Sequence, residues 1–155
     1  MKDLSNIITN RTVRNLIIVP MALALTLPFL TGCDDNDEYT EMPGKIQSFV
    51  SEYFPETSVS DYSFSNNIYH VTLSGSAYLE FNAVPAWIKI DGRGSVLPEM
   101  LLYDQLPSTL YTYIETLEAT EGIYSIARNK EAITASLLDS TITYDIATGK
   151  INGPE

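Results

Sequence analysis

The sequence is poor in the residue types that build most metal and redox sites. It has one cysteine, one histidine and one tryptophan in 155 residues. A single Cys33 excludes an internal disulfide and a zinc–thiolate cluster, and a single His70 excludes a multi-histidine metal site. Basic residues are scarce as well, with nine Lys plus Arg against twenty Asp plus Glu and a formal net charge of −11. That balance argues against a nucleic-acid binder, which needs a basic patch. No glycine-rich phosphate loop follows a strand, since Gly92-Arg93-Gly94 matches a turn and nothing longer. No serine sits in a Gly-x-Ser-x-Gly elbow. What is present is 45% apolar residues, enough for a packed core, at a length suited to one domain or two small repeats.

The first 32 residues read as an address. Lys2, Arg11 and Arg14 precede an uncharged apolar run from Leu16 to Leu30, broken by Pro20 and Pro28. As a helix this run rises about 22 Å, short of the roughly 30 Å hydrocarbon core. A basic start and a short apolar run indicate a secretion signal rather than a spanning helix. The run ends in Leu30-Thr31-Gly32-Cys33, which resembles the lipobox of bacterial lipoproteins. That resemblance implies that Cys33 becomes the lipidated first residue of the mature chain, anchored to a membrane through its acyl chains. Asp34-Asp35-Asn36-Asp37-Glu38 follows, and residues 33–41 read as an acidic tether extended by charge repulsion. An acidic stretch at this place also resembles the export signal of surface lipoproteins in the Bacteroidetes. The expected location is therefore the cell envelope, as an outer-membrane lipoprotein on the periplasmic or the surface-exposed side. Losing residues 1–32 removes Lys2, Asp3, Arg11 and Arg14, a net +2, and leaves −13 on the mature body.

The mature body reads as one unit written twice. Ile46, Phe49, Val50 and Tyr53 recur at i, i+3, i+4 and i+7, one helical face between Pro43 and Pro55. Shifted by 64 residues, Pro43 becomes Pro107, and the apolar set becomes Leu110, Tyr113, Ile114 and Leu117. Gly122 is expected to help end this second helix. Neither helix is long enough to be stable alone, so each needs a sheet to lie on. Period-2 patterns bounded by turn residues predict strands at Val59–Ser65, from Tyr69 through Leu73, at Tyr78–Asn82 and from Trp87 to Ile90. The second unit predicts strands at Ile123–Arg128, Ala132–Leu137, Thr141–Asp145 and Lys150–Ile151. Leu79-Glu80-Phe81-Asn82 matches Ile142-Thr143-Tyr144-Asp145 at a shift of 63. Val96 to Gln105 shows no period and reads as an ordered crossover, too rich in Leu97, Met100, Leu101, Leu102 and Tyr103 for a free linker. The expected class is α+β, two tandem helix-plus-antiparallel-meander units forming a sheet with helices on one face. The boundaries are 42–95 for the first repeat and 96–155 for the crossover and second repeat.

This order of Pro, amphipathic helix, Tyr-Phe-Pro, hairpin strands, Leu-Glu-Phe-Asn, a turn, Trp, then Leu-Pro and a second helix resembles the PepSY-like family of Bacteroidetes envelope proteins. That family is also described as β-lactamase-inhibitor-protein-like. The resemblance spans about residues 42 to 151 and implies small secreted or lipidated proteins without an established enzymatic activity. Ala83-Val84-Pro85-Ala86 departs from the Asp-Gly-rich turn expected before Trp87.

No residue set for catalysis emerges. His70 reads as a plain exposed strand histidine opposite Tyr69, Val71 and Leu73. Glu52, Glu56, Glu80, Glu115 and Glu118 are numerous, but carboxylate pairs need a cleft before they indicate glycoside hydrolysis. Helical spacing places Glu115 and Glu118 near one another on a solvated side. Ten tyrosines stand out. Tyr62, Tyr69, Tyr78, Tyr124 and Tyr144 fall on predicted strands, where packing selects them, and Tyr111 falls off the apolar face of its helix. Trp87 is expected to be packed. The expected function is a non-enzymatic protein- or peptide-binding module without cofactor, metal or nucleic acid, with inhibition of a secreted hydrolase as its narrower form. The alternative is an extracellular carboxylate-dependent hydrolase acting on glycans.

Overall fold

The computed structural model describes residues 41–153. The signal run, Cys33 and residues 34–40 of the tether lie outside the described residues. Three helices and eight strands run in the order α1 (Gly44–Tyr53), β1 (Val59–Ser65), β2 (Ile68–Leu73), β3 (Tyr78–Asn82), β4 (Trp87–Asp91), α2 (Glu99–Gln105), α3 (Ser108–Thr116), β5 (Ser125–Arg128), β6 (Ala132–Ser136), β7 (Thr141–Asp145) and β8 (Ile151–Asn152). The strands form one antiparallel sheet in sequence order, β1 through β8. This is an α+β fold, as expected.

Side chains alternate across the sheet. Val71, Leu79, Ile90, Ile126, Ala135 and Ile142 occupy one face along a single cross-strand row, and all six are buried. Ile46 and Val50 from α1, Leu101 and Leu102 from α2, and Leu110 and Ile114 from α3 are buried in the same core. All three helices therefore lie on that face. Each fully buried aliphatic or aromatic side chain contributes roughly 1.5–3 kcal/mol before conformational entropy is charged.

The junction between β4 and β5 holds the sheet continuous. Lys89, Ile90 and Asp91 pair with Ala127, Ile126 and Ser125. Arg128 lies over the Trp87 ring at 4.3 Å and donates from Nε to the Trp87 carbonyl. Trp87 is buried, and its Nε1 donates to Gln105 Oε1 at 3.0 Å. Gln105 Nε2 donates to the Tyr53 hydroxyl at 2.8 Å, which donates to Asp104 at 3.3 Å. One chain of hydrogen bonds thus joins β4, α2 and α1.

Several expectations are sharpened or corrected. The crossover after Val96 is ordered, as expected, and holds a helix that its lack of period did not show, Glu99–Gln105. Pro98 sits at its N-cap, where a missing N–H costs nothing. At seven residues the helix is too short to display a period.

Gly122 does not stop α3. The helix ends at Thr116, and Glu118 takes the left-handed conformation with φ 53°. The Glu118 amide donates to the Glu115 carbonyl at 2.9 Å and the Ala119 amide to Ile114 at 3.1 Å. That is the Schellman pattern, with Glu where glycine is usual. Gly122 lies in a separate 3-10 turn, Thr120–Gly122. Glu118 is consequently past the helix end and does not share a helical face with Glu115.

Tyr111 is 7% exposed rather than off the core, because α2 covers it. The strand before Arg128 begins at Ser125, and the last strand is Ile151–Asn152. The Ala83–Ala86 departure leaves its hairpin intact. The Asn82 amide donates to the Ala86 carbonyl at 3.0 Å, and the Ala86 amide to Asn82 Oδ1 at 3.1 Å.

Candidate functional site

The second face of the sheet carries no described helix. Its central row runs Ser63, His70, Glu80, Lys89, Ala127, Thr134, Thr143 and Asn152 across all eight strands. The adjacent row runs Asp61, Thr72, Tyr78, Asp91, Ser125, Ser136 and Thr141. These two rows are polar apart from Ala127, and their charge and aromatic content gather on β2, β3 and β4.

There His70, Tyr78 and Glu80 form one relay. The Tyr78 hydroxyl donates to Glu80 Oε1 at 2.8 Å and lies 2.7 Å from His70 Nδ1. A phenol has one hydrogen, and Glu80 takes it, so Nδ1 of His70 carries the proton of the second bond. His70 and Glu80 are direct cross-strand partners, with Nδ1 and Oε1 3.6 Å apart. The imidazole stacks against the Tyr78 ring with centroids 6.2 Å apart and planes 18° apart. His70 is therefore a partly buried member of a cluster rather than a plain exposed strand histidine.

Two cations complete the arrangement. Arg93 lies 4.7 Å and Lys89 5.9 Å from the Tyr78 ring centroid, both at cation–π range. Lys89 also pairs with Asp91 at 3.4 Å. Burial, the hydrogen bond to Glu80 and the Glu80 charge push the Tyr78 hydroxyl up to about 12, against a smaller opposing pull from Arg93. Tyr78 thus stays a neutral hydrogen-bond donor at any physiological pH.

The turn after β4 positions Arg93. The Arg93 amide donates to Asp91 Oδ1 at 2.8 Å, and Arg93 and Gly94 both take positive φ, 47° and 95°. A Cβ on Gly92 would collide with the Ser95 carbonyl oxygen, so glycine is required there. Gly92-Arg93-Gly94 is the turn that the sequence suggested, and its work is to hang a guanidinium over a tyrosine.

The other singled-out residues are dispersed. Glu52 and Glu56 are exposed at and beyond the end of α1. Glu115 is on α3, on the helical side of the molecule, and lines a groove with Tyr103, Asp104, Leu106, Ser108, Tyr111 and Thr112. Tyr62 and Tyr69 stack on the core side at 6.1 Å, Tyr124 precedes β5, and Tyr144 pairs with Ile133 and Ile151. Cys33 lies outside the described residues. Among the described residues no three His, Cys, Asp or Glu side chains gather to hold a metal ion, and no helix is long and apolar enough to cross a membrane. Sequence reasoning saw His70, Glu80 and Arg93 singly and missed their convergence on Tyr78. The i, i+2 spacing of Tyr78 and Glu80 was the available signal, since a strand puts both on one face.

No family model matches the chain, and no curated protein matches it. Solved structures do. A protein of Bacteroides thetaiotaomicron proposed to be calcium-regulated and periplasmic has TM-score 0.61 and 19% identity, over 75% of this chain and 91% of that one. A protein of the DUF2874 family from Bacteroides vulgatus, proposed to be periplasmic, has TM-score 0.61 and 19% identity, over 74% and 90%. A third, a proposed periplasmic protein of unknown function from Bacteroides vulgatus, has TM-score 0.59 and 20% identity, over 73% and 93%. At these identities the likeness establishes a shared fold.

Proposed function

We propose that this chain is a lipid-anchored protein of the bacterial envelope whose body is a duplicated PepSY-like unit that binds a protein or peptide on its open sheet face. The observation that carries the binding reading is the cluster of His70, Tyr78, Glu80, Lys89, Asp91 and Arg93 on a face that no described element covers. A half-buried Tyr beside an Arg matches the residue types enriched in interface hot spots. The hydroxyl-bearing remainder of the face supplies a rim able to make many weak polar contacts.

The duplication reading rests on the order of elements. α1 precedes β1–β4 and α3 precedes β5–β8. Ile46 and Leu110, Val50 and Ile114, Val71 and Ala135 are related by the 64-residue shift, and each of the six is buried. The envelope reading rests on the signal run and the lipobox at Cys33. It is supported by the periplasmic description of proteins that share the fold.

The test is a photo-reactive residue at Ala127, in the central row of the open face, compared with one at Glu52 on α1. In intact envelopes the account expects one discrete adduct from position 127, absent at position 52 and lost when Arg93→Glu is added. Equal labelling from both positions, or an adduct indifferent to Arg93→Glu, contradicts it.

A further inference from the structure

The helical layer carries a second surface, unrelated to the open sheet face. α2 and α3 meet at Leu106-Pro107 and leave a groove of about 400 Å³ between them. Ser108, Tyr111, Thr112 and Glu115 line it from α3 at i, i+3, i+4 and i+7, one continuous helical face. Tyr103 and Asp104 line it from α2. Tyr103 and Tyr111 meet edge to face, with centroids 5.2 Å apart and planes at 86°. The two rings differ in cost. Tyr111 is buried and its hydroxyl donates to Glu99 at 3.2 Å, so packing accounts for it. Tyr103 is 65% exposed, and core packing does not account for it.

The charge around this aromatic pair has one sign. Asp104 and Glu115 line the groove, and Glu99 holds the Tyr111 hydroxyl. The ion pairs among the described residues are His70–Glu80 and Lys89–Asp91, both on the other side of the sheet, so no described Lys or Arg pairs directly with these three carboxylates. A ring face attracts a cation, and flanking carboxylates strengthen that attraction. An open groove between two short helices suits a side chain presented by another chain better than an enclosed small molecule.

We infer that the α2–α3 groove is a docking site for a lysine side chain of a partner polypeptide, held against the exposed Tyr103 ring, beside its edge-to-face contact with Tyr111, between Asp104 and Glu115. The probe is the peptide Ac-Gly-Lys-Gly-NH2, titrated into the full mature protein in detergent while the Tyr103 and Tyr111 ring resonances are followed. The account expects saturable shifts of both rings and binding that weakens with salt. Tyr103→Ala and Glu115→Gln each weaken binding at least about tenfold, a loss of roughly 1.4 kcal/mol. Tyr103→Phe, which keeps the ring, retains it. Arg93→Glu on the open sheet face also leaves it unchanged, which separates this groove from the surface proposed above. Norleucine in place of lysine abolishes binding. The inference is overturned if no saturable shift occurs, if Tyr103→Ala binds as the parent does, or if the norleucine peptide binds equally. It is also overturned if putrescine binds as tightly as the peptide, since the groove would then take free amines.

Discussion

The two halves of the sheet share an order of strands and differ in what they show to solvent. On β2 to β4 the open face presents His70, Tyr78, Glu80, Lys89 and Asp91, tied together by hydrogen bonds and ion pairs. On β5 to β7 the same rows present Ser125, Ala127, Thr134, Ser136, Thr141 and Thr143. The buried side differs as well. Phe81 in the first half is fully buried, whereas Tyr144, its counterpart at a shift of 63, is half-exposed. The second half of the sheet is therefore the plainer one, while strands β1 to β4 place more buried side chains on the core face and carry the specialised surface.

The largest expected effect tests the core side of that contrast. Phe81→Ala removes a fully buried ring that packs edge to face on Phe49 with centroids 5.3 Å apart. It should cost about 3–5 kcal/mol, and Tyr144→Ala clearly less, about 1–2 kcal/mol. Urea unfolding of both variants decides this, and equal losses would erase the asymmetry.

The turns provide the next contrast. Gly92→Ala meets the Ser95 carbonyl oxygen and should destabilise by about 2–3 kcal/mol while displacing Arg93 from Tyr78. Gly149→Ala meets only ordinary contact with Tyr144 but still sits at φ 69°, so about 1 kcal/mol is expected. Thermal melts, with near-ultraviolet dichroism to follow the Tyr78 environment, separate the two.

The pH response should divide along the same line. Tyr78 is raised in the folded state, so its contribution is complete below pH 10 and is lost as pH rises from 10 through about 12. Glu80→Gln removes a hydrogen bond to a carboxylate and its charge, and should bring that ionisation down in an ultraviolet titration. Asp145, at the end of β7 where the turn to β8 begins, is shifted the other way. Hydrogen bonds from the Thr148 side chain and backbone lower its carboxyl, and stabilisation by this turn is lost as pH falls below the usual carboxylate range. A single profile that falls on the same side for both Glu80→Gln and Asp145→Asn would contradict this division.

The smallest expected effect lies at the helix ends. Pro55 follows α1 closely, but α3 ends with Glu118 in the left-handed region. Glu118→Gly should therefore stabilise by about 0.5–1 kcal/mol, visible as a raised Tm.

Much of this fold was legible because its strands alternate cleanly and its two longer helices show a full apolar face. What was not legible depended on tertiary partners. α2 has seven residues and no period, so nothing local marked it as a helix. Tyr111 looked misplaced because the element that buries it was α2. His70 looked exposed because its neighbours Tyr78 and Glu80 reach it only through the β2–β3 register. Glycine chemistry pointed to Gly122 as the stop for α3, whereas the backbone forced a glutamate into that geometry four residues earlier. The lipobox reading at Cys33 rests on residue types alone, and membrane fractionation of Cys33→Ser is its direct check.

The most direct test of the binding account compares the two halves at the surface. With the partner captured through position 127, its affinity is measured for Arg93→Glu and for Thr143→Glu. The account predicts a loss of at least about tenfold for Arg93→Glu and less than about twofold for Thr143→Glu. Equal losses, or the reverse order, would contradict it.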